Sequence, residues 1–419
     1  MTQAPIPADA LVFDWNTVEK TAPLATQAIL LNDETLRDGI QSPSVIDPPI
    51  EDKLSLLRLM HRLGIHCVNI GLPGAGPRAV EDVVRLAKTI SGESLALAPN
   101  CAARTHANDV NAIVECSQRS GSHIEVMAFL GSSPVRLYAE NWDLPFMQKA
   151  VAESLDIARK NGLKASFVTE DTIRSRPEVL AALFKTAIQH GAHRFVLCDT
   201  VGHATPDGVR ALARFAQNII AAEGAQVELD WHGHNDRGLG LPNCLAAIDA
   251  GITRIHGAAL GIGERVGNAS MDQLIVNLRL LGAWTHEVSA LREYCELASR
   301  ACGVPIPVNY PVFGRDAFRT ATGVHAAAII KAEKKGDEYL SDVIYSGVPA
   351  SVFGKRQEIE IGHMSGESNV VYWLSSRGIS PEPALVKHLF QLAKRGDRTL
   401  EEDELRRAIA DFQAPRVNS

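Results

Sequence analysis

The sequence predicts a closed (β/α)8 barrel, the TIM-barrel class, followed by a mostly helical C-terminal extension. Three observations carry that expectation. From about residue 28, short β-branched runs alternate with longer amphipathic stretches, and the alternation repeats eight times. Eight βα units over about 260 residues are what a closed barrel needs. The alternative, an open doubly wound sheet, usually carries a G-x-G-x-x-G turn after its first strand, and none follows the first run here.

The elements follow in chain order. Residues 1–27 precede the first strand and read as an arm or edge strand. The strand candidates are AILLNDE (28–34), IHCVNIG (65–71), LALAPN (95–100), HIEVMAFL (123–130), KASFVTE (164–170), HRFVLCD (193–199), QVELDWHGH (226–234) and TRIHGAAL (253–260). Apolar residues recur at three- and four-residue spacing in 50–63, 78–91, 143–161, 178–190, 207–223 and 240–250, which is the helical period. After about residue 285 the alternation stops. An apolar run in 310–332 ends in HAAAIIK, RQEIEIGH (356–363) reads as a strand, and 365–378 reads as a helix. EPALVKHLFQLAKRG and LEEDELRRAIADF read as two closing helices. The expected organisation is an arm (1–27), a catalytic barrel (28–285) and C-terminal helical subdomains (286–419).

Composition bounds the function. The chain has 419 residues, 46% hydrophobic and 22% charged, with a formal net charge of −7. That is an ordinary soluble composition, and its mild acidic excess argues against nucleic acid or an anionic membrane as the main partner. No run approaches the ~20 apolar residues that span a bilayer. The seven cysteines form no C-x-x-C pair and fit free thiols of a reducing compartment. The start, MTQAPIPADALVFDW, lacks the basic and apolar regions of a signal peptide, so a cytoplasmic protein is expected.

Barrel enzymes place their chemistry at the C-terminal strand ends. Reading those ends gives Arg37, Asp38 and Gln41 after the first strand, Asn69 on the second and Glu125 on the fourth. Glu170 and Asp171 end the fifth, Asp199 and Thr200 the sixth, and His232, His234, Asn235 and Asp236 the seventh. Any one could be a cap or an ion pair, but their recurrence at one end points to a site. His232-Gly233-His234 puts two imidazoles on one face of a strand. Alone the pair reads equally well as two core histidines. Asp38 completes a set of two histidines and a carboxylate that suits a divalent metal. Arg37 either pairs with Glu34 or Glu170 or stabilises a developing oxyanion. Thr200 either holds a substrate carboxylate or starts the loop before Pro206. The loop GIGERVGN suits close backbone approach but lacks the Lys and Ser/Thr of a P-loop.

Six motifs in order then carry a resemblance: DETLRDGIQSP (33–43), FVTED (167–171), CDTVGHATP (198–206), HGHNDRGLGLPNCLAAIDAG (232–251), GIGERVGNAS (261–270) and, more weakly, TGVHAAAIIK (322–331). The chain resembles the acyl-transferring members of the DRE-TIM metallolyase superfamily, above all the isopropylmalate synthases, with homocitrate and citramalate synthases as alternatives. The resemblance implies a Claisen-type condensation of acetyl-CoA with a 2-oxoacid to a 2-substituted malate, in amino-acid biosynthesis. It implies that Asp38, His232 and His234 bind Mg, Mn or Zn, with Asn268 close by. Arg37 would stabilise the enolate or alkoxide, Glu170 would sit by the substrate, and Thr200 would hold the 2-oxoacid carboxylate. Gln41 and Glu125 would line the substrate pocket. His325 matches a histidine brought in from the post-barrel subdomain, and Tyr345 a tyrosine found there. The implied assembly is a homodimer with an exchanged C-terminal segment.

Departures from the family pattern fall around the 2-oxoacid side chain: Ile40, Asn69, Glu125 and Ala258-Ala259-Leu260. A carboxylate at Glu125 in the pocket would repel a distal substrate carboxylate and favour a monocarboxylic 2-oxoacid. Ile40 in DGIQ also resembles hydroxymethylglutaryl-CoA lyase, but those lyases carry a cysteine in the loop after the last strand. This chain has none from 245 to 294. A non-catalytic barrel would not need the H-x-H, Arg-Asp and Glu set.

Overall fold

The structure is a computed structural model that describes residues 11–18, 28–336 and 338–414. Eight parallel strands close into a barrel in sequence order: β1 (Leu30–Asp33), β2 (Cys67–Asn69), β3 (Ala98–Arg104), β4 (Glu125–Gly131), β5 (Ala165–Glu170), β6 (Arg194–Asp199), β7 (Glu228–Gly233) and β8 (Arg254–Gly257). Closure sets Leu30 opposite Arg254 and Asp33 opposite Gly257. Each strand falls on one of the eight expected runs; β3 continues beyond its run to Arg104 and β4 by one residue to Gly131.

Helices α1 (Ile50–Arg62), α2 (Pro77–Gly92), α3 (Ala107–Ser120), α4 (Pro134–Glu140), α5 (Leu144–Lys160), α6 (Pro177–Gln189), α7 (Pro206–Ala222), α8 (Gly240–Asp249), α9 (Met271–Leu280) and α10 (Leu291–Cys302) follow the strands. Proline opens α2, α4, α6 and α7 and stands second in α5, where its missing N–H would have had no helical partner. Ser133, Asp143 and Thr205 accept backbone N–H bonds as N-caps of α4, α5 and α7.

Strand alternation separates two environments. Outward side chains such as Leu31, Val68, Val126, Phe167, Phe195, Leu197, Trp231 and Ile255 are buried under the helices. Phe195 stacks on Phe184 of α6 with ring centroids 4.4 Å apart. The inward face is charged at its floor and carries both polar and apolar residues nearer the strand ends. At its floor Arg254 bonds Asp230 (Nε–Oδ2 2.6 Å) and grips Glu125 with two bonds of 2.9 Å. Arg194 bonds the other Asp230 oxygen at 2.8 Å. Buried charges hold such a position only when paired like this.

Among the described residues the barrel-bearing unit runs from 28 to 305, so it includes α10 and the residues 286–305 that the sequence places in the extension. The reason is visible on β1. Asp33 points outward, accepts the Thr35 N–H at 2.8 Å and takes a very short hydrogen bond from the Tyr294 hydroxyl of α10. The other unit contains 306 onward with the described segment 11–18, where Trp15–Thr17 forms a 3-10 turn; the rest of the expected arm lies outside the described residues. Its helices are α11 (Gly323–Glu333), α12 (Glu338–Val343), α13 (Glu367–Ser376), α14 (Pro383–Lys394) and α15 (Glu402–Gln413). Ile361, Trp373, Leu374, Leu389 and Leu405 knit α13, α14 and α15 into one core. A short parallel pair, β9 (Arg319–Thr320) and β10 (Glu358–Ile359), confirms the strand expected in RQEIEIGH. Among the described residues, no helix is long and apolar enough to cross a membrane.

Asp33 supplies a stability test. Burial pushes its carboxyl from 3.8 up to about 6, against the bonds from Thr35 and Tyr294. The fold therefore holds a proton there that the unfolded chain releases at lower pH. That stabilisation is full below the unfolded value and fades as pH rises through 6. Urea unfolding at a series of pH values should show the wild type losing stability relative to Asp33→Asn between pH 4 and 6. Parallel curves for the two proteins would refute the raised carboxyl.

Candidate active site

The sites of interest come from strand ends that share one face. At the C-terminal end of the barrel lies a cavity of about 270 Å³. Arg37, Asp38, Gln41, Asn69, Glu170, Thr200, His232 and His234 all face it, as the strand ends led one to expect. An apolar wall of Leu72, Ala102, Met127, Phe129, Val168 and Val196 completes it.

Asp38, His232 and His234 converge. Asp38 Oδ2 stands 3.1 Å from His232 Nε2 and 3.4 Å from His234 Nε2, and the two Nε2 atoms are 3.4 Å apart. All three residues are buried. Burial alone would raise Asp38, but Arg37 and the two imidazoles hold its carboxyl well below the usual range. Burial pushes His232 the other way, toward the neutral ring. An ionised carboxylate beside a neutral imidazole is the protonation state that metal ligands need. Asn268 pairs with His234 across an isolated bridge; its Nδ2 donates to the Ile262 carbonyl at 3.0 Å, and its buried Oδ1 has no hydrogen-bond partner. Three converging donor atoms and an orphaned amide oxygen fit a divalent cation. A second group, Glu34, His232 and His256, is also close enough to hold one. Its outer members are already engaged, however: Glu34 by Arg37 and His256 by Asp230. The Asp38 group is therefore the better seat.

Glu170 differs from the other carboxylates. Burial raises its pKa, helped by the like charges of Asp171 and Glu264 and opposed by Arg136, whose Nε lies 3.1 Å away. The Thr200 hydroxyl accepts the Asp171 N–H at 2.8 Å, which fixes the oxygen at the cavity wall. Several polar strand-end residues turn out to build loops. Asp171 is clamped by Arg174, Asp199 accepts the N–H groups of His203 and Ala204, and Asn235 accepts that of Gly240. Arg265 of the GIGERVGN loop binds Asp236 with two bonds and reaches the Thr200 carbonyl, tying three strand ends together.

Glu125 requires a correction. It opens β4 instead of ending it, so it lies at the floor of the barrel and does not line the cavity. The cavity-lining residues of β4 are Met127 and Phe129, two and four positions on along the same face. Glu125 is committed to Arg254 and to the Ser166 hydroxyl, which donates to it at 2.5 Å. It cannot repel a substrate carboxylate from there. His325 and Tyr345 belong to the other unit, where their rings pack at a 31° tilt with centroids 4.1 Å apart. Glu34 and His256 were missed as cavity residues. The signal existed: Asn32-Glu34, Asp230-His232-His234 and Arg254-His256 are all i, i+2 series on the inward face.

Residues 28–299 match the family described as HMGL-like. A homocitrate synthase AksA of Methanopyrus kandleri is 29% identical over 374 residues, 88% of either chain. A probable 2-isopropylmalate synthase of Ignicoccus hospitalis is 29% identical over 90% of either chain. Among solved structures, an HMG-CoA lyase of Bacillus subtilis superposes with a TM-score of 0.55 at 20% identity, covering 67% of this chain and 96% of that one; this likeness speaks to the fold alone.

The convergent trio predicts how divalent ions bind. Calorimetric titration with Mn²⁺ should show Asp38→Asn and His232→Ala each weakening binding more than about 100-fold while circular dichroism stays unchanged, since losing a ligand costs more than losing its outer support. Wild-type affinity in both variants would remove the trio as a metal seat.

Proposed function

Since the chain belongs to the HMGL-like family, we propose that it condenses acetyl-CoA with a 2-oxoacid bearing an apolar side chain, as a 2-isopropylmalate synthase does. The observation that carries the reading is the division of one cavity into a charged side and an apolar wall. A divalent cation held by Asp38, His232 and His234, with Asn268 beside them, would supply Lewis-acid polarisation of the 2-oxo group. Thr200 holds the substrate carboxylate. Glu170, whose raised pKa suits a general base, takes a proton from the acetyl methyl group. The resulting enolate carbon attacks the 2-oxo carbon, and Arg37 stabilises the alkoxide that forms. Water then cleaves the thioester, releasing CoA and a 2-substituted malate.

The substrate side chain is proposed to run along Ala102, Met127 and Phe129. Among the described residues Arg37 is the only Arg or Lys lining the cavity, and Glu34 already binds it. A distal carboxylate would therefore be buried without a cation, which disfavours homocitrate-type substrates. Asn69 offers that wall one weakly used amide donor, 3.9 Å from the Met127 sulfur. The preference once argued from Glu125 thus rests on the wall instead. A CoA-release assay over a panel of 2-oxoacids should give 2-oxoisovalerate a kcat/KM at least about 100-fold above that of 2-oxoglutarate. Equal or reversed efficiencies would overturn the substrate class, and no CoA release from any 2-oxoacid would overturn the reaction.

We further propose a homodimer in which His325 serves the partner's site. Val324 and Tyr345 beside His325 are 72% and 50% exposed, a surface open to a partner chain. The check is complementation between Asp38→Ala and His325→Ala. In a mixed dimer with exchange, one site inherits both defects and the other none. Random mixing should then restore up to about a quarter of wild-type activity. No recovery after verified subunit exchange would refute the arrangement.

A further inference from the structure

We infer that His256 and Asn32 are positioning residues that act through Glu34 to aim the Arg37 guanidinium into the cavity. Glu34 is almost wholly buried, and three hydrogen bonds and one imidazole nitrogen in ion-pair range surround its two oxygens. Oε1 receives the Asn32 amide at 2.8 Å and stands 3.0 Å from His256 Nδ1. Oε2 receives Arg37 Nε at 3.0 Å and Arg37 Nη2 at 2.5 Å. A carboxylate has about four lone-pair directions; three are bonded, and the His256 ring stands 3.0 Å from Oε1, which leaves Glu34 poorly placed to take a proton from a substrate. Although it lines the cavity, it is a pivot and not a base.

The pivot is anchored on both sides. His256 Nε2 lies 3.1 Å from Asp230 Oδ2, and Asp230 is in turn held by Arg254 and Arg194 at the barrel floor. Asn32 is fixed by the Asn100 amide, which donates to its Oδ1 at 2.6 Å. A continuous line therefore runs from the floor through Asp230, His256 and Glu34 to Arg37. It ends on an open edge: Arg37 Nη1 is 3.7 Å from Asp38, beyond hydrogen-bond length, so this nitrogen remains available to an oxyanion. Fixing one edge of a planar guanidinium leaves the other preorganised, and preorganised donors give the largest catalytic electrostatic effects.

The inference rests on the condensation proposed above, so its test has one readout that needs no substrate. In ¹⁵N-labelled protein the Arg37 Nε–H resonance, assigned by its loss in Arg37→Lys, should be protected from solvent exchange and should exchange at least about 10-fold faster in His256→Phe. Unchanged exchange would overturn the relay whatever the activity. If the wild type turns over no 2-oxoacid, the condensation falls while this measurement still decides the relay. With an active enzyme, His256→Phe should lower kcat about 10- to 100-fold with both KM values within about threefold, the loss usual for a residue supporting a functional group. Combining it with Arg37→Lys should cost little beyond Arg37→Lys alone; multiplied losses would mean His256 does not act through Arg37. His256→Asn places an amide near the position of Nδ1 and should retain more activity than His256→Phe. Equal loss in the two variants would remove the donor to Glu34 from the account.

Discussion

The interior of this barrel is charged, and its charges must cancel without water. Barrels of this kind commonly fill their cores with branched apolar side chains. Here Arg194, Asp230, Arg254 and Glu125 occupy the floor, with Asn32, Asn100, His256 and Glu34 above them. In a low-dielectric core an unpaired member of such a set would be very costly, so every position is specified by its neighbours. That requirement is what makes the site rigid.

The consequence appears in the protonation states. Burial would raise Glu34, yet Arg37 and His256 hold it at about 2. Burial would lower His256, yet Asp230 and Glu34 raise it. Asp230 is likewise held below its usual range despite burial, mainly by Arg254. Glu170, with a single cation beside it, goes the other way. The barrel interior thus holds carboxylates pushed down by neighbouring cations and one, Glu170, raised by burial and like charges.

Most of the apolar material lies outside the strands, apart from the cavity wall of Ala102, Met127, Val168 and Val196. Phe167, Phe184 and Phe195 pack edge-to-face and stacked between the sheet and α6, and Trp231 is buried on the outward face of β7. The folding drive and the chemistry therefore use opposite faces of the same strands. Period-two alternation lets each run serve both, because neighbouring side chains point into different environments.

The sequence by itself determined the eight βα units, the extension of helices and the grouping of Arg37, Asp38, Glu170, His232 and His234 at one end, because periodicity and strand ends are local properties. It also contained the i, i+2 pairing of Arg254 with His256, which went unused because a histidine without a motif looks like core. Only the tertiary structure decided which strand-end acids face the cavity. Asp171, Asp199 and Asp236 turned to arginines and loop amides instead. It also decided that Glu125 lies beneath the site. The physical reason is that height along a barrel axis depends on the register between neighbouring strands, and Glu125 sits level with Asn100 of β3. A strand's own sequence tells which face a residue takes, but its depth and its charged partners come from strands far away in the chain.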